Sequence, residues 1–275
     1  MTLERSATRV TEAPVRAGMN AEHRARHILE PGHWAEHDPF LLLAEDWFPP
    51  GTFGPHPHRG FETVTLVLEG RLQHQDNHGG AGVLGPGDAQ WMTAGRGIIH
   101  IEDPIGAPVH SLQLWLNLPA SRKLTAPFYQ DLRGADMPVR HEPGAVLRVF
   151  SGTSGNVTAK TQNQVPVTMV EIRGDAGASV VQELPASYNG FIYLVSGSGR
   201  FGTHLTPAHA GQAVWFAPAD GDGASTLAIH ADTPIHAVLW AGAPLGEPVV
   251  ARGPFVMNSE EELVQAYAEY RAGRF

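Results

Sequence analysis

Apolar and polar residues alternate with a period of two over the most informative stretches of this chain. Thr63-Val64-Thr65-Leu66-Val67-Leu68 runs into Glu69-Gly70, and such alternation closed by a turn residue predicts a short antiparallel strand. The same reading predicts strands at 89–93, 111–117, 146–152, 168–172, 179–184, 190–195, 212–217, 225–231 and 235–242. Strands at this spacing suit a sandwich or a closed barrel. Near the end, Ser259-Glu260-Glu261-Glu262 matches a capping box, and Leu263, Ala266, Tyr267 and Tyr270 fall on one helical face before Gly273. One amphipathic helix packed on a barrel is expected there.

The pattern repeats. Val67-Leu68-Glu69-Gly70 is echoed by Leu194-Val195-Ser196-Gly197, Gly87-Asp88-Ala89-Gln90-Trp91 by Gly211-Gln212-Ala213-Val214-Trp215, and Leu114-Trp115-Leu116 by Leu239-Trp240-Ala241. Offsets of 127, 124 and 125 keep the same order, which points to a duplicated β domain. Residues 119–144 are richer in charge and proline. The expected organisation is a first barrel over 1–130, a linker over 131–144 and a second barrel over 145–275 that ends in the helix.

Composition narrows the chemistry. The 275 residues include 31 Gly and 22 Pro, which favours turns and short strands over a helical bundle. Cysteine is absent, which removes disulfides, thiolate metal centres and cysteine nucleophiles. A net charge of −9 opposes generic attraction to nucleic acid or anionic membranes. No apolar run is long enough to span a bilayer. The first fifteen residues lack the apolar stretch of a secretory signal, so a cytoplasmic location is expected.

Histidine, present 15 times, carries the candidate chemistry. In His56-Pro57-His58 the two imidazoles of an extended chain point to one side, about 6.6 Å apart along the strand, and can converge on one ion. His100-Ile101-Glu102 repeats the device, and Glu62 has the parity of the first pair. Elsewhere, His23, His27, His33 and His37 read as a loose polar cluster, in which His23 and His27 could share a helix face. His74 and His78 read as solvated residues flanking a hairpin turn at Asp76, and His110 opens a strand and could line the barrel rim.

The runs His56-Pro57-His58-Arg59-Gly60-Phe61-Glu62-Thr63-Val64 and Pro86-Gly87-Asp88-Ala89-Gln90-Trp91-Met92-Thr93-Ala94-Gly95-Arg96-Gly97-Ile98-Ile99-His100 resemble the pirin family of the cupin superfamily. The resemblance continues through Leu112-Gln113-Leu114-Trp115-Leu116-Asn117-Leu118-Pro119 and resumes at Gly253-Pro254-Phe255-Val256-Met257-Asn258. It implies an all-β fold of two cupin jelly-roll barrels in tandem with a short C-terminal helix. One divalent ion per chain, usually iron, is implied in the first barrel. Manganese, nickel, copper and zinc also suit nitrogen and oxygen ligands. The family's ligands fall here on His56, His58, His100 and Glu102. In a generic cupin the carboxylate would instead sit at Glu62, which stays a candidate for a base or for orienting a ligand.

Aligned on the repeat, the two histidine positions of the second barrel become Ala186 and Tyr188, or Glu183 and Pro185, and that of His100 becomes Ala224. No ligand pair remains there. Three imidazoles and one carboxylate around a divalent ion leave a charge near +1, which favours a monoanionic ligand. Some relatives show quercetin 2,3-dioxygenase activity, so the resemblance implies a flavonol and dioxygen as substrates, with Glu102 or Glu62 accepting the flavonol proton. Phe53, Phe61, Met92 and Trp115 are candidates to wall the pocket. Other pirins act in regulation through protein partners, and the alternative reading is a metal-binding regulatory protein with incidental catalysis.

Overall fold

The computed structural model describes residues 3–219 and 221–275. They form two compact units that do not follow each other in linear order: Pro14–Ala135 joins Leu245–Phe275, and the chain up to Ala13 joins Asp136–Pro244. Both chain ends therefore lie with the barrel remote from them in sequence. At the front, buried Arg5 donates to Ser225 Oγ at 2.7 Å and to the carbonyls of Pro185, Ala186, Tyr188 and Ala217 at 2.6–3.0 Å. A guanidinium with its donors satisfied inside the Asp136–Pro244 unit holds the N-terminal residues to it. The stretch expected as linker carries the strands Phe128–Leu132 and Val139–Glu142, the first in the Pro14–Ala135 unit and the second in the other.

In the Pro14–Ala135 unit a seven-stranded sheet runs in the order Phe128–Leu132, Ala89–Thr93, Phe61–Glu69, Val109–Asn117, Phe40–Phe48, Arg24–Leu29 and Arg16–Ala17. A four-stranded sheet runs His56–His58, Ile98–Pro104, Leu72–Asp76 and Ala81–Leu84. All the pairings are antiparallel. Thr65 lies opposite Gln90 on one side and Gln113 on the other. Directly paired residues share a face, so Thr65, Gln90 and Gln113 line the barrel interior, and Glu62, Val64 and Leu66 face the opposite way.

The Asp136–Pro244 unit repeats the plan. Its seven-stranded sheet includes Val167–Gly174, Ile235–Gly242, Asn189–Ser196 and Gln212–Phe216, and its second sheet centres on Ala224–Ala231. The correspondence is anchored by Gly70 and Gly197, both at φ +83, where a Cβ would strike the carbonyl oxygens of Pro108 and Pro234 respectively. Only glycine fits such a position. From these anchors, His74 opposite Glu102 matches Phe201 opposite Ile229, and His56 opposite His100 matches Gln182 opposite Leu227. His58 then matches Leu184. The strand register thus replaces the alignment expected from sequence: the four positions are Gln182, Leu184, Leu227 and Ile229. Leu184, Leu227, Ile229 and Phe201 belong to one buried apolar core.

The all-β reading and the tandem cupin reading are borne out, and the helix Glu260–Arg271 forms at the expected place. Its capping box is complete: Ser259 Oγ accepts from the Glu262 amide at 3.3 Å, and the Glu262 carboxylate accepts from the Ser259 amide at 3.1 Å. Leu263 and Ala266 are fully buried and pack with Phe255 and Met257. Among the described residues no helix is long and apolar enough to cross a membrane.

Candidate metal centre

His56 and His58 sit on a three-residue strand whose antiparallel partner places His100 directly opposite His56 and Ile98 opposite His58. The period of two brings all three imidazoles to one side of this pair. Their ring centroids lie 4.5–5.0 Å apart, and one ligand nitrogen from each falls within 4.8 Å of the others. The strand pair converges them as the two motifs suggested.

Burial fixes the protonation of two of them. His58 and His100 are 3% and 1% exposed. Desolvation first, then repulsion from His100 and His56, holds His58 well below the ordinary histidine value, and desolvation lowers His100 to about 4. Both are neutral at pH 7 and keep a nitrogen lone pair. His56 Nδ1 lies 2.8 Å from the Gly54 carbonyl and can only donate to it, which leaves Nε2 as the basic nitrogen. Tyr129 Oη lies 3.4 Å from His100 Nδ1, and His100 Nε2 and both nitrogens of His58 are buried with no hydrogen-bond partner. Such orphan nitrogens are costly in a fold unless something coordinates them. This donor set fits a divalent ion with imidazole preference.

Glu102 lies two residues beyond His100, and the group whose ligand atoms all fall within 4.8 Å consists of the three histidines without it. Its Oε1 accepts from Thr65 Oγ1 at 3.1 Å and its Oε2 from Gln113 Nε2 at 2.8 Å. The same Gln113 amide donates to Thr65 Oγ1 at 3.1 Å, and its oxygen accepts from Trp115 Nε1 at 3.3 Å. Glu62 takes no part in this arrangement. The strand break at Arg59-Gly60 resets the parity, so Glu62 faces away from the interior and accepts from Thr93 Oγ1 at 2.6 Å. Desolvation raises its carboxyl to about 7, with the hydrogen bond from Thr93 only partly offsetting it.

His56, His58 and Glu102 open on a cavity of about 700 Å³ lined by Phe48, Phe53, Leu72, Trp115 and Met19, with Thr65, Gln113, Asp46 and Ser111 as its polar groups. Phe53 and Trp115 wall it as expected. Phe61 stands behind, against His58 and Trp115 at ring distances of 5.1 and 4.4 Å, and Met92 packs with Ala94 and Ile98. A second hollow of about 540 Å³ lies in the other unit beside Arg173, Asp175 and His236. Two of its lining residues, Arg173 and His236, meet Glu171, which also pairs with Arg148.

Two histidines differ from their sequence reading. His74 is a buried strand residue rather than a solvated turn residue; its Nε2 lies 3.0 Å from Asp131 Oδ1 and its ring stacks on Tyr129. The shared parity of Leu72 and His74 after Gly70 is the signal that could have placed it. His23 shares no helix face with His27, because Arg24–Leu29 is a strand. It is buried, accepts from the Met19 amide at 2.9 Å through Nδ1, and donates through Nε2 to Asp46 at 2.9 Å. His110 lies 2.9 Å from Glu45 and stacks on Trp47.

Comparison with known proteins now adds a name to this architecture. Residues 22–116 match the pirin family model, and residues 169–275 match that of the pirin C-terminal cupin domain. The chain is 41% identical over 242 residues to Pirin-like protein 2 of Arabidopsis thaliana, covering 86% of this chain and 75% of that protein. A crystal structure from Geobacillus kaustophilus, 52% identical, superposes with a TM-score of 0.88 over 90% of this chain and all of the other. A quercetin 2,3-dioxygenase from Acinetobacter baumannii, 26% identical, gives 0.88 over 99% and 98% of the two chains. The chain belongs to the pirin family.

Proposed function

We propose that this protein is a metal-dependent dioxygenase that opens the ring of a flavonol-type substrate and releases carbon monoxide. The observation that carries the reading is the convergence of three imidazoles beside a largely apolar cavity of about 700 Å³ whose lining includes His56, His58 and Glu102. A pocket of that size and lining takes a planar aromatic molecule. The likeness to a structure named quercetin 2,3-dioxygenase supports the same substrate class.

His56, His58 and His100 would hold the ion, with iron(II) as the resident metal and Glu102 as fourth ligand. The bound ion supplies Lewis acidity to an enolic oxygen and, when redox-active, a route for electrons to dioxygen. The remaining work belongs to this chain's side chains. Glu102 accepts the proton of the substrate hydroxyl, and Thr65 and Gln113 hold it in place by donating to its two oxygens. Phe48, Phe53 and Trp115 hold the aromatic rings and keep water out. Asp46 and Ser111 face each other one strand pair beyond Gln113, about 6.6 Å further along. There they can accept a distal phenolic hydroxyl, and His23 holds Asp46 in place.

Anaerobic reconstitution with iron(II), followed by oxygen uptake and carbon monoxide detection on a flavonol panel, tests the assignment. Equimolar oxygen consumption and carbon monoxide release are expected, and both are lost in His58→Ala. Turnover with no flavonol under any of the five metals would overturn the dioxygenase reading. Full metal occupancy in His58→Ala would overturn the ligand set.

A further inference from the structure

The backbone positions that flank His58 and His100 are gripped by the C-terminal segment. Arg59, next to His58, is buried. Its guanidinium meets Glu269 of the C-terminal helix at 2.7 Å and lies over the Phe275 ring at 4.2 Å. Its amide donates to the Pro254 carbonyl at 3.3 Å, and its carbonyl accepts from the Val256 amide at 3.0 Å. Gly60 follows at φ +86, where a Cβ would stand 1.9 Å from the Val256 oxygen.

The second ligand strand is held by the same segment. Gly97, three residues before His100, has a φ of +142, and a Cβ there would press into the Phe275 ring at 2.7 Å. The amide of Ile99, adjacent to His100, donates to Asn77 Oδ1 at 2.9 Å, and Asn77 Nδ2 donates to the Phe275 carbonyl at 2.9 Å. Phe275 thus touches the supports of both strands, through Arg59 on one and through Gly97 and Asn77 on the other. Buried Lys123 closes the arrangement by donating to the carbonyls of Gly60 and Val256 at 2.9 and 3.1 Å.

We propose that residues 252–275 form a clasp that sets the spacing of His58 and His100, with Glu269 and Phe275 as positioning residues for the ion. The clasp rests on the metal-binding reading of the three histidines. An ion bound between the histidines and a segment docked on Arg59, Gly97 and Asn77 favour the same strand spacing. Each therefore strengthens the other by the same factor, and outer supports of metal ligands are worth roughly tenfold in affinity or more.

The test is titration of the metal-free full-length protein with zinc, a redox-inert probe, in wild type, Glu269→Gln, Phe275→Ala and Val264→Ala. Val264 is exposed on the same helix. Zinc affinity should fall roughly tenfold in the first two variants and stay unchanged in the third. In wild type, zinc should slow amide hydrogen exchange over 255–275, a readout that holds even where a variant fails to fold. Equal zinc affinity in folded Glu269→Gln and Phe275→Ala, or unchanged exchange over 255–275 in zinc-loaded wild type, would overturn the clasp. A wild-type protein that binds no zinc, nickel or iron would overturn the metal reading and the clasp with it.

Discussion

Glu62 is fully buried on the outer side of its strand, where desolvation raises its carboxyl from 4.5 to about 7. Between these values the folded protein keeps a proton that the unfolded chain releases, so stability falls as pH rises through the window. The loss levels off above pH 7 at roughly 3 kcal/mol. Glu62→Gln should remove this decline, seen as urea midpoints that change less between pH 5 and 8 than those of wild type. Parallel profiles would show that Glu62 is ionised at its ordinary pH. His100 has the opposite sign. Its value drops from 6.5 to about 4, so the unfolded chain takes up a proton that the folded one refuses, and stability of the metal-free protein falls as pH drops through that range. The clustered histidines could be picked out of the sequence because a period of two puts His56 with His58, and His100 with Glu102, on common faces. Glu62 misled the same logic, since parity does not survive the positive-φ glycine at 60.

At the scale of elements, alternating letters revealed strands even where both faces are buried, as in Phe61–Glu69, and missed those whose letters do not alternate. Phe40–Phe48 reads Phe-Leu-Leu-Leu-Ala-Glu-Asp-Trp-Phe without alternation, because neither of its faces meets bulk water over most of its length. Leu72–Asp76 was hidden by its polar letters: Gln73 and Gln75 are exposed, and His74 satisfies its polarity on Asp131 inside the barrel. The turn at Gly60 joins the strand that carries His56 and His58 to Phe61–Glu69, and it is also where the C-terminal segment docks. An alanine there must leave the left-handed region or displace the Val256 carbonyl. Gly60→Ala should therefore destabilise the metal-free protein by about 2 kcal/mol or more, read from urea unfolding. A variant as stable as wild type would show that the Arg59-Gly60 turn tolerates a wider backbone than the contacts suggest.

The whole molecule contains the same barrel twice, once with a cavity beside a histidine cluster and once filled by its own side chains. Where the first barrel places His56, His58, His100 and Glu102, the second places Gln182, Leu184, Leu227 and Ile229. Sequence offsets exposed the duplication, but gaps of a few residues between repeats left the alignment of single positions open, and only strand register settles them. The pairs predict opposite trades of stability against binding. Leu227→His inserts an imidazole into a closed apolar core with no partner, at a cost of about 3 kcal/mol or more. His100→Leu removes a buried nitrogen that lacks a hydrogen bond and should stabilise the metal-free protein by about 1–2 kcal/mol at pH 5, while abolishing ion binding. Urea midpoints of the two metal-free variants at pH 5 check both signs. A destabilised His100→Leu would mean that its Tyr129 contact and packing outweigh the orphan nitrogen, and that the first barrel is held by its site even without the ion.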